Sequence, residues 1–146
     1  MTPGASSLSV ARLVPALRLL AAVGLTTAQQ TQLLGLDARA VRLALQSGLP
    51  LPLSPEQHLR LRASVEIAQA LLTLYTRHPE QWFTRENSRP PFDGRTPLAY
   101  VLTGDTAALV ATHRLLLADL NGLFSTSLES RALASRLPQP DIDLDE

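Results

Sequence analysis

The chain contains no cysteine and no lysine, and aromatic residues make up only 4% of it. Without cysteine there is neither a disulfide framework nor a thiolate metal site. With so few rings, aliphatic side chains, chiefly leucine and alanine, have to fill the interior. All 13 basic residues are arginine, which reads as GC-rich codon usage and a bacterial source. A long apolar run is missing too. Arg12 followed by Leu13-Val14 and by Leu19 to Leu25 faintly resembles a secretory leader, but Pro15 and Arg18 interrupt it. No run is long enough to span a membrane, and a soluble cytoplasmic protein is expected. No segment alternates at period two, so no sheet is expected.

The signatures of catalysis are missing as well. His58, His78 and His113 show no i, i+4 pairing, and no acids stand at ligand spacing around them. There is no G-x-S-x-G, no phosphate-binding glycine loop and no dinucleotide fingerprint. The chain is read as a non-enzyme with neither metal nor cofactor.

What is present is a folded, helical sequence: 45% of 146 residues are hydrophobic and 18% charged. Formal charge sums to zero but is divided. Residues 1–78 hold seven arginines against three acids, a net +4, and residues 79–146 hold six arginines against ten acids, a net −4. A basic half and an acidic half suggest two different partners.

Apolar spacing from Val10 to Ala21 predicts a first helix stopped by Gly24, with Pro15 at its first turn. A capping box at Thr27 and Gln30 starts a second helix, and Asp37 caps a third that ends at Gly48. Residues 49–53, with Pro50 and Pro52, read as a loop. Ser54-Pro55-Glu56-Gln57 is a further capping box, opening a long helix to about Arg77 whose inner stripe is Leu59, Ala63, Ile67, Ala70, Leu71 and Leu74. Short helices follow at Pro79 to Thr84 and from Thr96-Pro97 to Gly104. Asp105 caps another, with Leu109, Leu116, Leu117 and Leu120 inward and a stop at Gly122. A weak helix is expected near Leu128 to Leu137, and residues 138–146 are expected to be disordered. The predicted fold is all-α.

Two regions invite function. Residues 27–47 read as a helix-turn-helix, which needs a glycine between its helices, a small residue four before it and a buried aliphatic six after it. Gly35, Thr31 and Val41 stand at those places. Arg39, Arg42 and Gln46 would point outward from the helix that starts at Asp37. Arg and Gln read base edges bidentately, so these are the candidate DNA-binding residues, with a bare packing unit as the alternative. The second region, Trp82 to Gly104, joins the only tryptophan to an irregular loop rich in proline and arginine. Trp and Arg are the residue types that anchor interfaces. Trp82 and Phe92 either do so here or plug the core beside the long helix.

The second half resembles a known family. Trp82-Phe83, Asn87, Phe92, Gly94, Pro97-Leu98, then Leu102-Thr103-Gly104-Asp105 and Leu109 resemble the W…PN…G…PL…GD pattern of the Xre/MbcA/ParS-type antitoxins. Leu53-Ser54-Pro55-Glu56-Gln57 through Arg60, Ile67 and Leu74-Tyr75 resembles their linking helix. Arg85-Glu86 stands where the family often has proline before the asparagine. The resemblance implies an Xre-like helix-turn-helix region (1–53), a linking helix (54–78), a toxin-binding domain (79–122) and an extension with an acidic tail (123–146). It implies an antitoxin of a type II toxin-antitoxin system that neutralises a RES-domain toxin, whose NAD-degrading chemistry belongs to that partner. Toxin contacts are assigned to Trp82, Arg85, Asn87, Arg89, Phe92 and Arg95, and to Asp141 and Asp143 of the tail. Operator DNA is the second expected partner, with a homodimer or a toxin-antitoxin hetero-oligomer as the assembly. The competing readings are a stand-alone helix-turn-helix transcription regulator and an adaptor for some other protein.

Overall fold

The computed structural model describes residues 6–136, with side chains described as far as Gly122. Its order is β1 (Ser6–Leu8), α1 (Val10–Ala22), α2 (Thr27–Leu34), α3 (Ala38–Ser47), β2 (Leu51–Leu53), α4 (Pro55–Leu74), α5 (Pro79–Thr84), α6 (Pro97–Thr103) and α7 (Thr106–Arg136). The chain is mostly helical, as expected.

The expectation of no sheet is overturned. β1 and β2 pair as an antiparallel ribbon in the register Ser6↔Leu53, Ser7↔Pro52 and Leu8↔Leu51. Pro52 is tolerated because a strand with a single neighbour needs donors on one side only. Leu8, Leu51 and Leu53 turn inward onto Leu13, Val41 and Ala44, forming a small core under α3. Three residues of alternation are too few for a periodicity to register, which is why 49–53 read as loop.

Pro15 lies inside α1 rather than at its start. Proline cannot donate to the carbonyl four residues earlier. Here Ala11 and Pro15 are both exposed, so water can serve that carbonyl. The chain turns after α1 at Gly24, whose φ of 94° only glycine adopts without strain. Its Cα also lies where a side chain would collide with α5, since a Cβ there would fall 2.5 Å from Glu80 Cβ.

The capping box of α2 sits one residue earlier than expected, on Thr26 and Gln29. Gln30 instead buries its side chain and donates to Leu25 O at 2.9 Å. Asp37 caps α3 by accepting from Ala40 N at 3.2 Å. The Ser54–Gln57 box of α4 forms as the sequence predicts.

α4 is the axis of the molecule, and its inner face is the expected one at Ala63, Ile67, Ala70, Leu71 and Leu74 but not at Leu59. Leu59 is 46% exposed, and Arg60 takes the buried place beside Ala63, Ile67 and Leu71. Around α4 a single core gathers Leu20 and Val23 of the α1 region, Leu33 and Leu34 of α2, Phe83 of α5, Val101 of α6, and Leu109 and Leu116 of α7. This core runs without a break across positions 53/54 and 78/79. α7 lies along α4 in the same direction, with Thr106 beside Glu56 and His113 beside Glu66. Leu116 is fully buried, whereas Leu117 is 44% exposed and does not belong to the inner stripe. α7 does not stop at Gly122 but continues to Arg136. A glycine inside an exposed helix costs about 1 kcal/mol, too little to end it, and the next proline is Pro138.

Candidate functional site

α2 and α3 are joined by the turn Gly35-Leu36-Asp37. Gly35 has φ 68°, the left-handed conformation, and caps α2. Thr31 and Val41 are buried, so the three positions singled out in the sequence all occupy the places assigned to them. The turn is held from outside by α4. Gln57, already part of its own capping box, donates from Nε2 to Gly35 O at 2.8 Å. Arg60 donates from Nε to Leu33 O at 2.8 Å and from Nη1 to Thr106 Oγ1 at 3.3 Å. Thr106 donates in turn to Glu56 at 2.7 Å. The Arg60 guanidinium thus sits at the negative end of the α2 dipole and serves one of its open carbonyls. Gln32 reaches the other way, to Leu102 O of α6 at 3.2 Å. These contacts fix the orientation of α3 relative to the core.

Val41 and Ala44 anchor α3 inward. The opposite face presents Arg39, Arg42, Leu43 and Gln46, all exposed, at i, i+3, i+4 and i+7. Arg39, Arg42 and Gln46 therefore share one outward face as expected. Leu43, 63% exposed among them, had no role in the sequence reading.

Residues 85–96 form a closed arch. Asn87 N donates to Arg95 O at 3.0 Å and Gly94 N to Asn87 O at 2.8 Å, which pins the two ends together. Inside, Phe92 N and Asp93 N both donate to Arg89 O. Asp93 and Gly94 take positive φ at the tip. The arch is filled by Phe92, which packs edge-on against Trp82 at 5.6 Å and Tyr100 at 5.4 Å between ring centroids.

Three of the expected toxin contacts also have a part within the fold. Phe92 is fully buried and presents no surface to a partner, so its part is to hold the arch down. Asn87 spends its side chain on the arch, accepting from Arg89 N at 3.0 Å. Arg89 is paired within the molecule, donating two hydrogen bonds to Asp119 of α7 at 2.9 and 3.0 Å. Those bonds hold the Arg89 guanidinium above its ordinary pKa, against a lowering by partial burial and with the charge of Asp119 adding to the rise. Asp119 lies 30 residues away, and no local pattern pointed to it.

Arg85 and Arg95 are exposed, and Trp82 is half-buried against the core. Arg85 rests on Gln81 Oε1 at 2.7 Å, and the Arg95 guanidinium carbon stands 5.3 Å from the Tyr100 ring centre. Beside Trp82 opens a cleft of about 280 Å³ lined by Tyr75, His78, Gln81, Arg85, Glu86 and Asn87. Asp141 and Asp143, and the disorder expected of 138–146, lie outside the described residues.

Among the described residues no group of three His, Asp or Glu side chains converges as a metal site. No single described helix is long and apolar enough to cross a membrane. Comparison with known protein families, with curated proteins and with solved structures finds no match.

Proposed function

We propose that the chain is an antitoxin of a type II toxin-antitoxin system. It binds a RES-type, NAD-degrading toxin directly through the region around Trp82 and the 85–96 arch. Its α2–α3 unit acts as a helix-turn-helix that represses the operon from operator DNA. The observation that carries this reading is the arch: irregular backbone closed on itself, filled by Phe92 and tied to α7, with Arg85 at the surface beside Trp82 and Arg95 at the surface over Tyr100. A surface held in one conformation loses little entropy on binding. A toxin that consumes NAD must accept an anionic pyrophosphate, so its cleft is rich in donors. The net −4 of residues 79–146, including Asp141 and Asp143, complements such a cleft.

The test is co-expression with the RES-domain toxin of the neighbouring gene while cellular NAD is followed. Arg89 is kept intact, because it braces the arch. The Arg85→Ala, Arg95→Ala double variant, checked by circular dichroism, is expected to protect NAD poorly. Full protection by that variant and by a chain truncated after Leu137 would place the toxin surface elsewhere.

A second reading, a stand-alone transcription regulator, is favoured by the exposed face of α3, which needs no toxin to meet DNA. An adjacent RES reading frame separates the two, being required by the first and not by the second.

A further inference from the structure

We infer that Leu43 reads a thymine methyl group, so that the DNA bound by this chain carries a required thymine in each half-site. The inference rests on the reading of α3 as a DNA-contacting helix and names what that helix selects.

Leu43 contributes little to the fold. It is 63% exposed, and the packing of α3 on the core is done by Val41 and Ala44. A large aliphatic side chain in that position is out of keeping with its neighbours Arg39, Arg42 and Gln46, which make no side-chain hydrogen bond or ion pair among the described residues. Each neighbour has a base edge to match: arginine forks onto guanine O6 and N7, and glutamine onto adenine N6 and N7. Leucine has neither donor nor acceptor. The apolar group displayed in the major groove is the thymine C5-methyl, and contact between the two removes both from water.

The spacing fits. Along a helix that rises about 1.5 Å per residue, Leu43 lies about 1.5 Å beyond Arg42 and about 4.5 Å before Gln46. Base pairs repeat every 3.4 Å, so the three side chains meet the same or neighbouring pairs.

A protein partner fits this face less well. The other exposed leucine of α3, Leu45, is two residues on, about 200° around the helix from Leu43, so the two cannot share one apolar patch. On its face of α3 Leu43 stands among Arg39, Arg42 and Gln46, which suits a base step better than a hydrophobic interface.

The experiment selects duplexes from a random pool with the full-length chain, then remakes the selected duplex with deoxyuridine at each thymine in turn. Uracil keeps every hydrogen-bonding group of thymine and lacks only the methyl. At the thymine that Leu43 contacts, a single substitution is expected to weaken binding about fourfold, the effect of returning one methyl group to water. Leu43→Ala, which leaves the core untouched, is expected to bind the thymine and uracil duplexes equally. If the wild type enriches a sequence but ignores every thymine-to-uracil change, the inference fails while the DNA-binding reading stands. If Leu43→Ala leaves the discrimination intact and instead abolishes self-association in sedimentation, Leu43 belongs to a protein interface and the inference fails. If no sequence is enriched, the DNA-binding reading fails and takes the inference with it.

Discussion

Arg89 and Asp119 face each other across the gap between the 85–96 arch and α7, joined by two parallel hydrogen bonds of 2.9 and 3.0 Å. The pair is partly open to solvent, so its effect on global stability is small, about 0.2–1 kcal/mol. Its effect on the arch is larger, because it is the tie that fastens Arg89 to α7. Asp119→Asn is expected to lower the melting temperature only slightly while hydrogen exchange quickens at the Asn87 and Gly94 amides. Because the folded state raises the Arg89 pKa, the arginine's contribution is present through the neutral range and is lost as pH rises past the raised value, in strong alkali. Unchanged exchange at both amides would show that the arch does not depend on the pair.

Phe92→Ala should be far more damaging. The ring is fully buried between Trp82 and Tyr100, and removing a buried phenylalanine costs about 3–5 kcal/mol. Urea denaturation checks this. A loss below about 1 kcal/mol would mean that the ring is not held in the core.

Arg60 ties α4 to α2 and α7. Arg60→Ala is expected to lose about 1.5–3 kcal/mol, the range for hydrogen bonds to a charged group. Arg60→Met keeps most of the buried stem and gives up the bonds to Leu33 O and Thr106, so it should lose less than alanine does. Equal losses in the two variants would assign the effect to the bonds rather than to the packing.

Gly24 and Gly35 both adopt positive φ, and an alanine at either carries about 1–2 kcal/mol of backbone strain. At Gly35 the new Cβ would sit 3.4 Å from the Arg60 side chain, whereas at Gly24 it would fall 2.5 Å from Glu80 Cβ. Thermal denaturation should therefore rank Gly24→Ala as clearly the less stable, and the reverse order would contradict the close approach of α5.

On DNA, the Arg39→Ala, Arg42→Ala variant is expected to bind at least about tenfold more weakly than wild type, since each base-reading arginine is worth about 1–3 kcal/mol. Mobility shifts at several salt concentrations separate the roles. The salt slope falls by about 0.9 for each arginine that had sat on a phosphate, and stays constant for one that reads a base. Binding equal to wild type would remove α3 from the DNA-contacting surface.

Local chemistry in the sequence was enough to place most of the helices. Ser54-Pro55-Glu56-Gln57, Asp37 with Gly48, and Thr96-Pro97 with Gly104 each start or stop a helix through bonds made within a few residues, and each does so in the structure. The outward face of α3 was legible for the same reason: a buried Val41 and Ala44 oblige Arg39, Arg42 and Gln46 to point away. Tertiary structure decided whatever depends on partners distant in the chain. Leu51 to Leu53 becomes a strand because Ser6 to Leu8 lies beside it. Arg60 displaces Leu59 from the inner face of α4 because the open end of α2 and the Thr106 hydroxyl are there to receive it. Phe92 is buried, and Arg89 is tied down, because Tyr100 and Asp119 come from later helices that fold over the arch. Pairings of this kind are settled by which surfaces meet when the helices pack, and no spacing along the chain encodes them.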